Sequence, residues 1–141
     1  MKVHIGADRR GIVHTVTTTT AKTADITQLP HRLHGKERVV HGDRGYYSGE
    51  AVRYLRKRGI RSRLQKRAGA SHPLTSAERV RNQRWSSARA MVEHSFLVIK
   101  RLWGFAKVRY RGLKKNAARV FALTALANLY RVHHRLAPHE A

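Results

Sequence analysis

The chain is predicted to fold as an α/β domain, and three observations carry that prediction. Short β-branched runs alternate with helix-like segments through residues 1–64, the order that layers helices on strands. Thr75 and Glu78 form a threonine-x-x-glutamate box of the kind that opens a helix. Val92, Phe96, Ile99 and Trp103 then recur at helical spacing, the stripe of a helix docked on a core.

Taken in order, residues 3–5 and 12–18 flank Gly6-Ala7-Asp8-Arg9-Arg10-Gly11, which reads as a hairpin with Gly and Asp in its turn. The threonine tract 17–20 suits a strand end running into a loop. Asp25 is the expected N-cap of a short helix over 26–33, weakened in its middle by Pro30. Residues 37–42 read as a third strand that delivers Asp43 at its C-terminal end. Ser48 should cap a helix running to residue 58, with Val52 and Leu55 facing inward and Gly59 stopping it. A fourth strand follows at 60–64, then a basic loop at 65–73.

The capping box opens a helix at about residue 76, which either runs unbroken to 101 or bends at Trp85-Ser86-Ser87. A last helix, 116–135, is apolar nearly all round between Ala117 and Tyr130 and is expected to be well buried. No internal repeat is present, and residues 1–141 read as a single domain, a length that supports one core.

The charge balance bounds the partners. Lys and Arg number 30 against 8 Asp and Glu, for a formal net charge of +22. A compact body with that charge repels itself unless a polyanion neutralises part of it, so DNA or RNA is the expected partner. Composition alone fits a ribosomal-type RNA binder as well as a DNA-acting protein. The absence of cysteine excludes disulfides and Cys-based zinc sites. The closest histidine groupings, His31-x2-His34 and His133-His134, lack carboxylate company at metal-ligand spacing. With no apolar leader and no long apolar span, the expected location is cytoplasmic, beside the nucleoid, with no membrane.

In so basic a chain, acids in specific contexts stand out. Asp43 closes Val39-Val40-His41-Gly42 and precedes Arg44-Gly45-Tyr46; Glu93 lies in an R-x3-E-x6-K pattern with Arg89 and Lys100. A strand end and a packed helix each aim a carboxylate at one spot. Together they suit a divalent ion acting on a phosphodiester. The plainer readings are a turn-forming Asx for Asp43 and an ion pair with Arg89 for Glu93. The stretch from Arg101 to Arg111 interleaves aromatics with cations, as surfaces that grip backbones and stack on bases do. Its rival reading puts Trp103 and Phe105 in the core, which is favoured for Trp103, with Lys107, Arg109 and Arg111 outside and Tyr110 open.

The G-D-R-G-Y turn and the R-x3-E-x6-K helix resemble signature blocks of bacterial insertion-sequence transposases of the DDE superfamily. Tyr110-Arg111-Gly112-Leu113-Lys114-Lys115-Asn116, the Ala-Leu-rich helix after it, and residues 1–8 with 11–14 resemble the same group. The resemblance implies a ribonuclease H-like three-layer fold with C-terminal helices. It implies Asp43 and Glu93 as catalytic ligands of a Mg2+ or Mn2+ pair, and Arg89, Lys100, Arg109 and Arg111 as DNA contacts. The implied activity is cut-and-paste movement by phosphodiester hydrolysis and strand transfer. The partners would be terminal inverted repeats and target DNA, in a homodimer or an assembly with an upstream fragment. One departure is Ser86, where relatives often carry Tyr three residues before the Arg.

The family uses three acids, the first on an opening strand that lies upstream of the segment resembling residues 1–4. The fold is therefore expected to be incomplete at the N-terminus. Asp8, in the hairpin turn, and Asp25, at a helix start, do not occupy that position. The chain alone is expected to be inert and marginally stable, as part of a split transposase or as a remnant. The alternative is a non-catalytic fragment that binds transposon ends.

Overall fold

The computed structural model describes residues 1–69, 71–105 and 107–136, with side chains described through His133. Ala70 of the basic loop, Ala106 of the aromatic-basic stretch and the His134 side chain of the histidine pair therefore lie outside the described residues. The elements are strands β1 (Lys2–Ala7), β2 (Val13–Thr19), β3 (Val39–Gly42) and β4 (Arg61–Leu64), and helices α1 (Gly49–Lys57), α2 (Ser76–Trp103) and α3 (Leu113–Leu136). They pack as two compact units: Thr23–Ala90, and Met1–Lys22 with the described residues from Met91 onward. The fold class is α/β, with small sheets and C-terminal helices.

In the unit that holds the termini, β1 and β2 form the expected antiparallel hairpin, with Ile5 opposite Val16 and an irregularity between Gly6 and Ala7. Asp8 builds the turn: its Oδ1 accepts from the backbone N–H groups of Arg10 and Ile12, both at 2.9 Å. Gly11 adopts φ +75°, and a Cβ there would sit 2.6 Å from Arg131 and 2.9 Å from the Met91 carbonyl. β2 is paired on its other side by a side chain. The Val13 N–H donates to Asn128 Oδ1 at 2.9 Å, and Asn128 Nδ2 donates to the Val13 carbonyl at 2.7 Å. The amide thus stands in for a neighbouring strand. Ser95 Oγ, fully buried, donates to the Gly11 carbonyl at 2.7 Å. Val98, Ile99, Leu123 and Ala127 form the core, with Trp103 and Phe105 packed against it. Trp103 is therefore a core residue, and Tyr110 is exposed.

The second unit is a βαβ arrangement. β3 and β4 run parallel, Val39 opposite Arg61 and Gly42 opposite Leu64, and α1 connects them. Ser48 Oγ caps α1 by accepting from the Ala51 N–H at 2.9 Å. Leu29, Ala51, Leu55, Ile60 and Leu64 form the core. A Cβ on Gly42 would meet Leu64 Cδ2 at 2.6 Å, so glycine lets the two strands close up just before Asp43.

Two sequence expectations are corrected and one open alternative is decided. The segment 26–33 is two 3-10 turns, Asp25–Gln28 and Pro30–Arg32, because Pro30 can start a turn but cannot donate to the one before it; Ala24, not Asp25, is the N-cap. The Trp85-Ser86-Ser87 stretch does not break α2. Ser86 Oγ donates to the Asn82 carbonyl at 3.2 Å and Ser87 Oγ to the Arg84 carbonyl at 2.9 Å, so both hydroxyls are satisfied within the helix. Finally, α3 is not buried all round. Its Asn116, Val120, Leu123 and Ala127 stripe is buried, whereas Phe121, Leu126, Leu129 and Tyr130 are exposed, since packing against one layer covers one face of a helix.

Candidate active site

The C-terminal ends of parallel strands are where α/β folds gather chemistry, because the chain leaves each strand there and side chains converge. In the Thr23–Ala90 unit those ends deliver Asp43, after β3, and Gln65, after β4, locked together by the Gln65 N–H donating to the Gly42 carbonyl at 3.0 Å. Asp43 adopts the Asx role in part: its Oδ1 accepts from the Gly45 N–H at 3.0 Å and caps the 3-10 turn Arg44–Tyr46. Its Oδ2 faces the Arg89 guanidinium at 3.8 Å. The Asp43 side chain is 43 % exposed and that of Arg89 28 % exposed, so the pair sits at the rim of the surface, within reach of solvent and substrate.

Arg89 is held from behind. Its NH1 donates to Gln65 Oε1 at 3.1 Å, and Gln65 Nε2 in turn donates to the Asn82 carbonyl at 3.0 Å and to Ser86 Oγ. Asn82 closes the network by exchanging hydrogen bonds with the backbone of Lys66, at 3.0 and 2.9 Å. Ser86 is thus part of the support for Arg89. Asp43, Arg44, Gly45, Gln65, Ser86 and Arg89 line an open cavity of about 380 Å3.

The surroundings are ionic. A Cβ on Gly45 would lie 3.2 Å from both Asp43 Oδ1 and Asp25 Oδ2, so the Asp25 carboxylate flanks the same turn. Burial pushes the Tyr46 hydroxyl up in pKa; Arg32, 4.5 Å from its ring, opposes that, and Asp25 and Asp43 add to it. Burial and then Arg63 hold His41 below its ordinary value, so it is neutral at pH 7.

The remaining residues expected from the sequence belong to the other unit. Glu93 and Lys100 are exposed on α2. Arg109 and Arg111 are exposed in the connection between α2 and α3. That connection is clamped by Asn116, which is 1 % exposed: its Oδ1 accepts from the Tyr110 N–H at 3.1 Å, and its Nδ2 donates to the Tyr110 and Gly112 carbonyls. Nothing in the sequence pattern marks Gln65 or Asn82. Asn116 stood in a family-like string, and only the fold shows it shaping the Arg109–Arg111 turn. Among the described residues, no three His, Asp or Glu side chains gather as a metal-holding group, and no helix is long and apolar enough to cross a membrane.

Residues 1–129 match the family described as the transposase DDE domain, and the chain belongs to that family. Membership in the DDE superfamily makes transposition the family activity and DNA its substrate; divalent metal ions are typical of the family. No solved structure matches the chain.

Proposed function

We propose that the chain contributes to the catalytic domain of a bacterial insertion-sequence transposase, a ribonuclease H-like domain of which residues 1–141 form one piece. In this reading Asp43 and Glu93 are the catalytic metal ligands, and Arg89, Lys100, Arg109 and Arg111 hold transposon-end or target DNA. The observation that carries it is the placement of the motif acid Asp43 at a strand end, facing motif residue Arg89 at 3.8 Å, in a chain of this family.

The residues suit the ion. Asp43 offers an oxygen ligand on a partly exposed carboxylate, which a hydrated Mg2+ or Mn2+ accepts readily. When bound, such an ion supplies Lewis-acid stabilisation to phosphate oxygens and makes water a stronger nucleophile. The chain's own residues do the rest. Arg89, fixed by Gln65, holds positive charge beside Asp43 and can grip a phosphate oxygen in the same place. Lys100, Arg109 and Arg111 neutralise flanking phosphates and set the strand's register. Asp43 and Glu93 are the only acids of the sequence with motif context, so in this reading the third carboxylate is supplied in an assembly with another transposase segment.

The experiment is strand cleavage of DNA carrying the insertion-sequence ends, with Mg2+, by the chain mixed with a polypeptide that supplies the third acid. Asp43→Asn and Glu93→Gln should each lower cleavage by more than about a hundredfold, because ligand loss exceeds the effect of losing a supporting residue. Cleavage untouched by either substitution would sink the assignment. End-selective binding with no cleavage in any mixture would instead mark a non-catalytic DNA-binding protein.

A further inference from the structure

Beside the Asp43 cavity lies a second one, of about 280 Å3, also within the Thr23–Ala90 unit, walled by Arg44, Gln65, Arg79, Asn82, Gln83 and Ser86 with Leu74 at its edge. The two share Arg44, Gln65 and Ser86 as lining residues and so are neighbours. We propose that this second cavity binds a phosphodiester of the DNA backbone, neighbouring the phosphate handled at Asp43.

Its chemistry is that of an anion site. Two guanidinium groups and three side-chain amides line it, and no carboxylate does. Among the described residues neither Arg44 nor Arg79 is ion-paired. The acid next to Arg79 in sequence, Glu78, is taken by Lys66 at 2.6 Å, with Arg81 at 3.9 Å. Arg79 Nε donates to the Leu74 carbonyl at 3.2 Å, which orients the planar guanidinium and uses one of its five N–H donors. A guanidinium fork matches two phosphate oxygens at once.

Part of the wall is set before any ligand arrives. Gln65 is tied to Asn82, Ser86 and Arg89, and Asn82 to the Lys66 backbone, so these two amides lose little side-chain freedom on binding. A water takes up about 30 Å3 in the liquid, so the cavity has room for a phosphate group with some of its hydration. Arg44 stands between the cavities, where it touches both the reacting phosphate and its neighbour. The proposal rests on the reading of Asp43 as the reaction centre, but its test needs no cleavage.

The test uses the full chain in metal-free buffer. Inorganic phosphate, titrated at constant ionic strength into 15N-labelled protein, should move the Gln83 side-chain amide signals saturably. The shift should persist in Arg56→Gln, an exposed α1 control, and be lost in Arg79→Gln. With a short DNA duplex, Arg79→Gln should weaken binding several-fold regardless of sequence. It should also reduce the slope of log K against log salt by about one, with a smaller change for Arg56→Gln. An absent phosphate shift, or one retained in Arg79→Gln, overturns the site. Phosphate binding with an unchanged DNA slope, or an equal slope change in Arg56→Gln, overturns the assignment to DNA. Failure of the Asp43 reading shows separately, as Mg2+-dependent cleavage indifferent to Asp43→Asn.

Discussion

Arg89 sits between two acceptors, donating from NH1 to Gln65 Oε1 at 3.1 Å while its NH2 lies 3.8 Å from Asp43 Oδ2. The neutral contact is the shorter one, and the ionic contact is loose. That ordering suits a cation whose position is set by Gln65 beside the Asp43 carboxylate. An exposed ion pair of this length contributes little to stability by itself.

Gln65 should therefore matter to the fold as well as the site. It is 5 % exposed, and Gln65→Ala would remove the hydrogen bonds its amide makes with the Asn82 carbonyl, Ser86 Oγ and Arg89. A loss of about 1–3 kcal/mol in urea denaturation is expected. A loss of a few tenths would mean that water replaces the amide without cost.

Glu78 makes the fold sensitive to acid. The hydrogen bond from Lys66 and then the backbone N–H of Thr75 hold its pKa at about 2, below the ordinary 4.5. A depressed carboxylate pKa stabilises the fold fully above the ordinary value, and the benefit is lost as pH falls through the folded value. The stability gap between wild type and Glu78→Gln should be constant above pH 4.5 and shrink towards pH 2. Urea midpoints at pH 6 and pH 2.5 check this; a gap that does not narrow contradicts the Lys66 pairing.

Gly11 carries two constraints at once, a positive φ and no space for a Cβ against Arg131 and the Met91 carbonyl. The Arg131 end can move, but the carbonyl is backbone. Gly11→Ala should cost about 1–3 kcal/mol, combining left-handed strain with the displaced contact. An unchanged thermal midpoint would mean that the hairpin turn shifts freely.

Asn116→Ala should loosen the turn that carries Arg109 and Arg111. It leaves the Tyr110 N–H and the Tyr110 and Gly112 carbonyls unpaired, at a cost of about 1–3 kcal/mol. Hydrogen exchange at the Tyr110 amide should accelerate more than that of amides in the middle of α3. Equal acceleration throughout would indicate general destabilisation, with no specific clamp.

Much of the local structure was legible in the residues. The hairpin turn at Asp8 to Gly11, the cap at Ser48 and the box at Thr75 and Glu78 depend on partners within a few positions, so their pattern is written in the chain. The motifs around Asp43 and Glu93 likewise pointed to the family. The tertiary structure decided which distant groups meet. Gln65 and Arg89 are 24 positions apart, and Val13 and Asn128 are 115 apart. No periodicity encodes such pairs, because they form only when packing brings a buried polar group to a partner it cannot do without. The same reason explains α3: between Ala117 and Tyr130 it is apolar nearly all round, and only the layer it packs against determines which of those residues are buried.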